Sequence, residues 1–214
     1  HLNGIAIDDI PIADRQFKAL DKITLGGKIL GPSGLLKQNF NGTVSVQIFD
    51  KEVQRSTLGN DQSKTMDFTI LGEQIFEGLA SVVNGHFSTT FVIPKDINLN
   101  VGAAKISFIA FNNDKTESVG GFSNQFNIGE INTAAVSDTQ PPLINVYLEN
   151  RSFIDGGKVF NSPMLIVDFE DENGINSSGG LGHDIIATLD DNQADPYVLN
   201  AFYSTVLDDY TKGS

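Results

Sequence analysis

Between Asp168 and Asp190 the chain reads DFEDENGINSSGGLGHDIIATLD, and six side chains capable of acid–base or ligand chemistry crowd around its glycine-rich connection: Asp168, Glu170, Asp171, Glu172, His183 and Asp184. Asp168 and Glu170 are two apart, which on a strand puts both carboxylates on one face about 7 Å from each other. That spacing is compatible with a paired-carboxylate hydrolase using Asp168, Glu170 or Asp184, and a solvated strand face explains it equally well. His183 beside Asp184 resembles a base with its orienting acid. Such a base needs a nucleophile, and only the loop serines Ser177 and Ser178 are near in sequence. A calcium loop of the EF-hand type wants Asp first, Gly sixth and an acidic residue twelfth. With Gly174 as the sixth residue, Phe169 falls first and Gly180 twelfth, so the pattern fails. The stretch therefore reads as a structural turn, and the expected inventory of catalytic, cofactor-binding and metal-ligating residues is none.

The flanking residues explain why. Met164–Val167 and Ile185–Leu189 are short, apolar and rich in branched side chains, as buried strands are. Asn173-Gly174 ends the first of them, because both residues tolerate positive φ. Gly179, Gly180 and Gly182 let the chain pass close to itself.

The same alternation runs through the whole chain. It predicts strands over Asn3–Ile7, Lys22–Leu30, Thr43–Asp50, Asp67–Leu71, Ile75–Val83, His86–Ile93, Lys105–Phe111 and Phe122–Ile128. Asn84-Gly85 suits a type I′ turn, so Ser81–Val83 and His86–Ser88 should form a hairpin. Taking one face of each strand gives a core of Ile23, Leu25, Val44, Val46, Ile48, Phe68, Ile70, Ala80, Val82, Phe87, Phe91, Ile106, Phe108 and Ala110. The stretch INTAAVSDTQPP, Ile131–Pro142, is small and polar and ends in two prolines, as a linker does. A second series follows over Leu143–Leu148, Met164–Glu170, Asp184–Asp190 and Val198–Tyr203, with a helical turn allowed only in Leu199–Asp208. The fold expected is all-β: an immunoglobulin-like β-sandwich over residues 1–132, a linker over 133–142, and a second such sandwich over 143–214. A sandwich of this type takes about seven strands and about 100 residues. The second series falls short of both, so it is expected to be incomplete at its C-terminal end. Ile144, Val146, Leu165 and Val167 would then lack an opposing sheet, and the fragment would self-associate.

Composition sets limits on function. The 214 residues are 40% hydrophobic, with 15 Phe and no Trp, enough for aromatic-filled sandwich interiors. The formal net charge of −13, with no cluster of three basic residues, argues against nucleic acid as a partner. With no cysteine, the chain carries no disulfide, thiolate site or Cys nucleophile. No apolar run of about 18 residues is present to cross a membrane as a helix.

Several segments, in the same order, resemble the region that follows the peptidase domain in the PorU family, the gingipain-like cysteine endopeptidases of the type IX secretion system. They are FKALDKITLGGKIL (Phe17–Leu30), the long stretch Thr57–Ile97, KISFIAF (Lys105–Phe111), Asp171–Asn192 and VLNAFYSTVLDDYTKG (Val198–Gly213). The resemblance covers nearly all of the chain. It implies an exported protein at the cell surface and outer membrane of a Bacteroidetes-type Gram-negative bacterium. There the family acts as a sortase. It removes the C-terminal sorting domain of secreted cargo, attaches the cargo to an anionic lipopolysaccharide, and works with an outer-membrane β-barrel of the same system. It implies no catalytic residue here, since the family's Cys–His dyad belongs to the preceding peptidase domain. His1, His86 and His183 match neither member of it. The leading expectation is thus a non-catalytic accessory region, partnered by that peptidase domain and the β-barrel. The alternative is a carbohydrate- or lipopolysaccharide-binding or adhesion module. Its aromatic platform would come from Tyr147, Tyr197, Tyr203 and Tyr210, all in the second series.

Overall fold

The computed structural model describes residues 10, 14–60, 63–136, 138–177 and 184–214. The expected strand over Asn3–Ile7 lies outside them. The described chain is all-β, and its largest core is a β-sandwich. One layer is a four-stranded sheet ordered β10-β9-β3-β6, made of Ser118–Ser123, Lys105–Asn112, Gly42–Phe49 and Gln74–Val82. The facing layer joins two small sheets. One pairs β2 (Lys22–Lys28) with β7 (His86–Val92). The other is ordered β1-β11-β8, from Gln16–Ala19, Asn127–Ile131 and Gly102–Ala103, with β1 and β11 parallel.

Alternation explains the packing. Val44, Val46 and Ile48 on β3 point inward and are fully buried, while Thr43, Ser45 and Gln47 point out. Ala80 and Val82 of β6, and Ile106 and Ala110 of β9, share that inner face. Ile23 and Leu25 of β2 and Phe87 and Phe91 of β7 face them. Aromatic pairs tie the layers together: Phe76 stacks on Phe91 at 4.6 Å, and Phe87 tilts against Phe108 at 5.4 Å between centroids. Each fully buried branched or aromatic side chain contributes about 1.5–3 kcal/mol. Phe40, Ile93 and Ile128 add to this core from outside the residues predicted for it.

The turn at Asn84-Gly85 has φ 51° and 76°, as a type I′ turn requires. The expected ladder beyond it is limited to one bridge between Val83 and His86. From there β6 continues in the sheet with β3 and β7 crosses to pair with β2, so the turn is a corner of the sandwich rather than the tip of a long hairpin. The run predicted as one strand over Phe122–Ile128 is divided. β10 ends at Ser123 and β11 begins at Asn127, with Phe126 buried between them against Phe17.

Phe68 and Ile70 are not core residues. They lie on β5 (Asp67–Ile70), which pairs only with β4 (Val53–Ser56) in a separate two-stranded ribbon, and they are 44% and 40% exposed. Their spacing suits a strand face, but among the described residues that face is not part of the buried core cluster.

From Leu143 onward the strands form a second four-stranded sheet, ordered β12-β13-β17-β16. These are Leu143–Leu148, Leu165–Glu170, Asp209–Gly213 and Thr205–Val206. The strand predicted over Asp184–Asp190 shortens to β14 (Ile186–Ala187), paired with β15 (Tyr197–Val198). Within Leu199–Asp208 the helical content is one 3-10 turn, Asn200–Phe202, and the rest enters the β16–β17 hairpin. That hairpin docks on the free edge of β6. Leu79 N–H donates to Thr205 Oγ1 at 3.0 Å, and the Asp208 N–H donates to Leu79 O at 3.0 Å. Ser81 donates to the Asp208 carboxylate from its N–H and its Oγ, both at 2.6 Å.

Candidate interaction surfaces

The acidic stretch is built into local structure. Asp168 and Glu170 do share one strand face, opposite Asn145 and Leu143 of β12. Each is engaged by its own cation. Arg151 grips Asp168 with two bonds, Nε to Oδ2 at 2.8 Å and Nη2 to Oδ1 at 2.7 Å. This bidentate bond holds the Asp168 carboxyl below its usual range. Lys212 Nζ lies 3.3 Å from Glu170. Asp171 is buried and accepts from the N–H of Asn173 at 2.8 Å, and its own N–H donates to Thr211 O at 2.8 Å. It shapes the Asn173-Gly174 turn, where Gly174 has φ 86° and its backbone lies against Tyr210. Burial pushes its carboxyl up, partly offset by the Asn173 bond. Glu172 offers its carbonyl to the Tyr210 hydroxyl at 3.4 Å. The Ser177 carbonyl accepts from Asn200 Nδ2 at 3.2 Å. Asp184 is exposed. Ser178 and His183 lie outside the described residues, so the expected Asn173–His183 loop is described only as far as Ser177. Among the described residues no three His, Asp or Glu side chains gather as a metal site.

Of the four tyrosines, Tyr197 is exposed on β15 and Tyr147 is half-buried on β12. Tyr203 is buried against Phe169, ring centroids 5.8 Å apart, and Tyr210 is covered by Lys22, with Nζ 5.2 Å from the ring. His86 is exposed at the start of β7.

A second polar constellation, which sequence reading missed, holds one end of the sandwich. Lys51 Nζ donates to Asp50 Oδ1 at 2.6 Å, to Asn98 O at 2.7 Å and to Ile128 O at 3.2 Å. Asp50 Oδ2 accepts the Asn98 N–H at 3.1 Å. Both side chains are nearly buried, and the ammonium joins β3, the loop at Asn98 and β11. Its donors are spent on carbonyls and a carboxylate, which is the chemistry of a staple. The only sequence signal was an acid–base dipeptide at a strand end, which many solvated turns share.

The remaining conspicuous features are apolar. In the β4–β5 ribbon, Val53 pairs with Ile70 and Arg55 with Phe68, so these four share one face with Met66 beyond them. Gln54, Ser56, Asp67 and Thr69 take the other face. The ribbon is amphipathic, among the described residues its apolar side lies outside the buried core cluster, and an isolated two-stranded ribbon is marginally stable in water. On β12 and β13, the pairs Ile144–Phe169, Val146–Val167 and Leu148–Leu165 form another apolar face, on which Ile144, Val146 and Leu165 are exposed.

No protein-family model matches this chain, and no curated protein does. Among solved structures, a crystal structure of dimeric latent PorU from Porphyromonas gingivalis matches 99% of it, with a TM-score of 0.62 and 26% identity. The chain is related to a region of PorU. The matched part is 20% of the PorU chain, so this sequence spans about a fifth of that protein's length. The likeness extends from the sandwich around β3 through the strands after Leu143, and it agrees with the family resemblance carried by the motifs. Among the described residues, no helix is long and apolar enough to cross a membrane.

Proposed function

We propose that this region is a non-catalytic accessory part of a PorU-type, gingipain-like cysteine peptidase and sortase of the type IX secretion system, exposed at the outer membrane of a Gram-negative bacterium. The observation that carries the reading is the PorU match, which takes in almost the whole chain and a fifth of PorU. The chemistry agrees. The chain has no cysteine, and of the carboxylates that could have served a hydrolase Asp168 is tied to Arg151 and Glu170 to Lys212. The region's work is then mechanical: it holds the peptidase in place and docks it. The amphipathic β4–β5 ribbon is its contact element toward the peptidase domain, because burying Val53, Phe68 and Ile70 there supplies the core the ribbon lacks.

Two measurements test this. Peptides spanning a cargo's sorting-domain junction should stay intact with this region alone, and turnover above a buffer control would overturn the non-catalytic role. In the whole protein, replacing Phe68 and Ile70 by Thr should leave the region folded and weaken its protection from hydrogen exchange by the peptidase domain. Unchanged protection in the ribbon would remove it as the contact element.

A further inference from the structure

The two edges of the sheet β10-β9-β3-β6 are treated differently. The β6 edge is closed by Thr205 and Asp208, as described. At the other edge, the Glu117 carbonyl accepts from Asn112 N–H at 3.1 Å, which turns Glu117 toward β9. By alternation Val119 and Gly121 also face β9, and the N–H and C=O groups of Ser118, Gly120 and Phe122 turn outward. Natural edges are blunted by charge, proline, bulges or cover. The β10 sequence SVGGFS has no charge and no proline, its register against β9 is uninterrupted, and among the described residues nothing follows it in the sheet order.

The glycines sharpen the point. Gly within a strand weakens it and marks a bulge, a bend or the close approach of another backbone. There is no bulge here. A Cβ on Gly121 would meet nothing within 4 Å, and one on Gly120 would meet only Phe108 O at 3.8 Å. Nothing among the described residues needs either glycine. On the outer face, Gly120 lies beside Ile109, Ser118 beside Phe111, and Phe122 beside Ser107. Ile109, Phe111 and Phe122 are 47%, 47% and 69% exposed. The edge is therefore a low ledge at Gly120 with apolar walls on either side.

We propose that β10 is a strand-addition site that receives an extended segment of another polypeptide. The segment carries a large apolar residue opposite Gly120, where it packs on Ile109, and acidic residues at its ends. The charges follow from the surroundings. Although the chain is strongly acidic, β9 and β10 hold Lys105 and no carboxylate, and Lys105 sits over Phe122 at 5.4 Å. At the Ser118 end a cleft is lined by Thr43, Phe111, Asn112, Asn113 and Lys115, whose one charge is positive.

The test uses the whole chain and a labelled peptide, Asp-Thr-Val-Leu-Val-Thr-Asp, with two controls: Lys in place of both Asp, and Pro in place of Leu. Saturable binding of the first peptide is expected, weaker binding of the Lys peptide and none of the Pro peptide. Gly120→Glu, which meets open space in the fold, should weaken binding about tenfold or more while leaving the melting transition in place. Phe122→Ser, on the same face, should weaken it in the same direction. Slowed exchange at the Ser118, Gly120 and Phe122 amides should accompany binding. Absence of binding at about 1 mM peptide, or equal binding to Gly120→Glu, overturns the proposal. A concentration-dependent dimer abolished by Gly120→Glu would reassign the edge to a second copy, which also overturns it.

Discussion

The docking of the β16–β17 hairpin on β6 can be dissected at one residue, Asp208. Its carboxylate accepts two bonds from Ser81, at 2.6 Å each, while its backbone N–H donates to Leu79. Hydrogen bonds to a charged group contribute about 1.5–3 kcal/mol when sheltered, and this pair is exposed, so about 1 kcal/mol each is the working figure. Asp208 also sits at φ 63°, a conformation Asp and Asn tolerate and Ala resists by about 1–2 kcal/mol. Asp208→Ala should then cost about 3–4 kcal/mol, the sum of both terms. Asp208→Gly loses the bonds without the strain and should cost about 2 kcal/mol. Asp208→Asn keeps one acceptor and the backbone preference and should cost about 1 kcal/mol. Urea titration gives the three values. Hydrogen exchange at Ser81 and Leu79 reports whether the hairpin lifts from β6. The order Ala, Gly, Asn is the signature. Equal costs for Ala and Gly would show that backbone strain plays no part. Losses under about 0.5 kcal/mol for all three, with the Ser81 amide still protected, would refute the clamp itself.

Three further outcomes are expected. Phe40→Ala, at a site 2% exposed, should lower stability by about 3–5 kcal/mol in denaturant titration. Lys51→Met should cost about 3–5 kcal/mol, because it leaves the nearly buried Asp50 carboxylate unpaired, and adding Asp50→Asn should recover part of the loss in a double-mutant cycle. Burial pushes the Tyr203 hydroxyl up to about 12 from an ordinary value of 10. The unfolded chain therefore releases this proton at lower pH than the folded chain. The contribution is intact below pH 10 and is lost as pH rises from 10 toward 12, a loss that Tyr203→Phe should abolish in pH-dependent melting.

Much of the fold was legible because strand alternation is a local property. The inner faces of β2, β3, β7 and β9 follow directly from the placement of Ile23, Val46, Phe91 and Ile106, and the Asn84-Gly85 turn from two residues that accept positive φ. The order of motifs carried the relation to PorU, which the structural match bears out. Periodicity names a face, however, and not what lies against it. Phe68 and Ile70 have the spacing of core residues, but their ribbon leaves the sandwich, so only the tertiary structure shows them exposed. The same holds for the turn after β6: its local geometry was readable, while the crossing of β7 to another sheet depends on distant β2. The acidic stretch shows the limit most clearly. Its residue types allowed a hydrolase, and what engages them in the described part are partners far along the chain: Arg151 for Asp168, Lys212 for Glu170 and Thr211 for the Asp171 backbone. Side-chain chemistry is written in the sequence, whereas the pairing that neutralises or frees it is set by which strands meet.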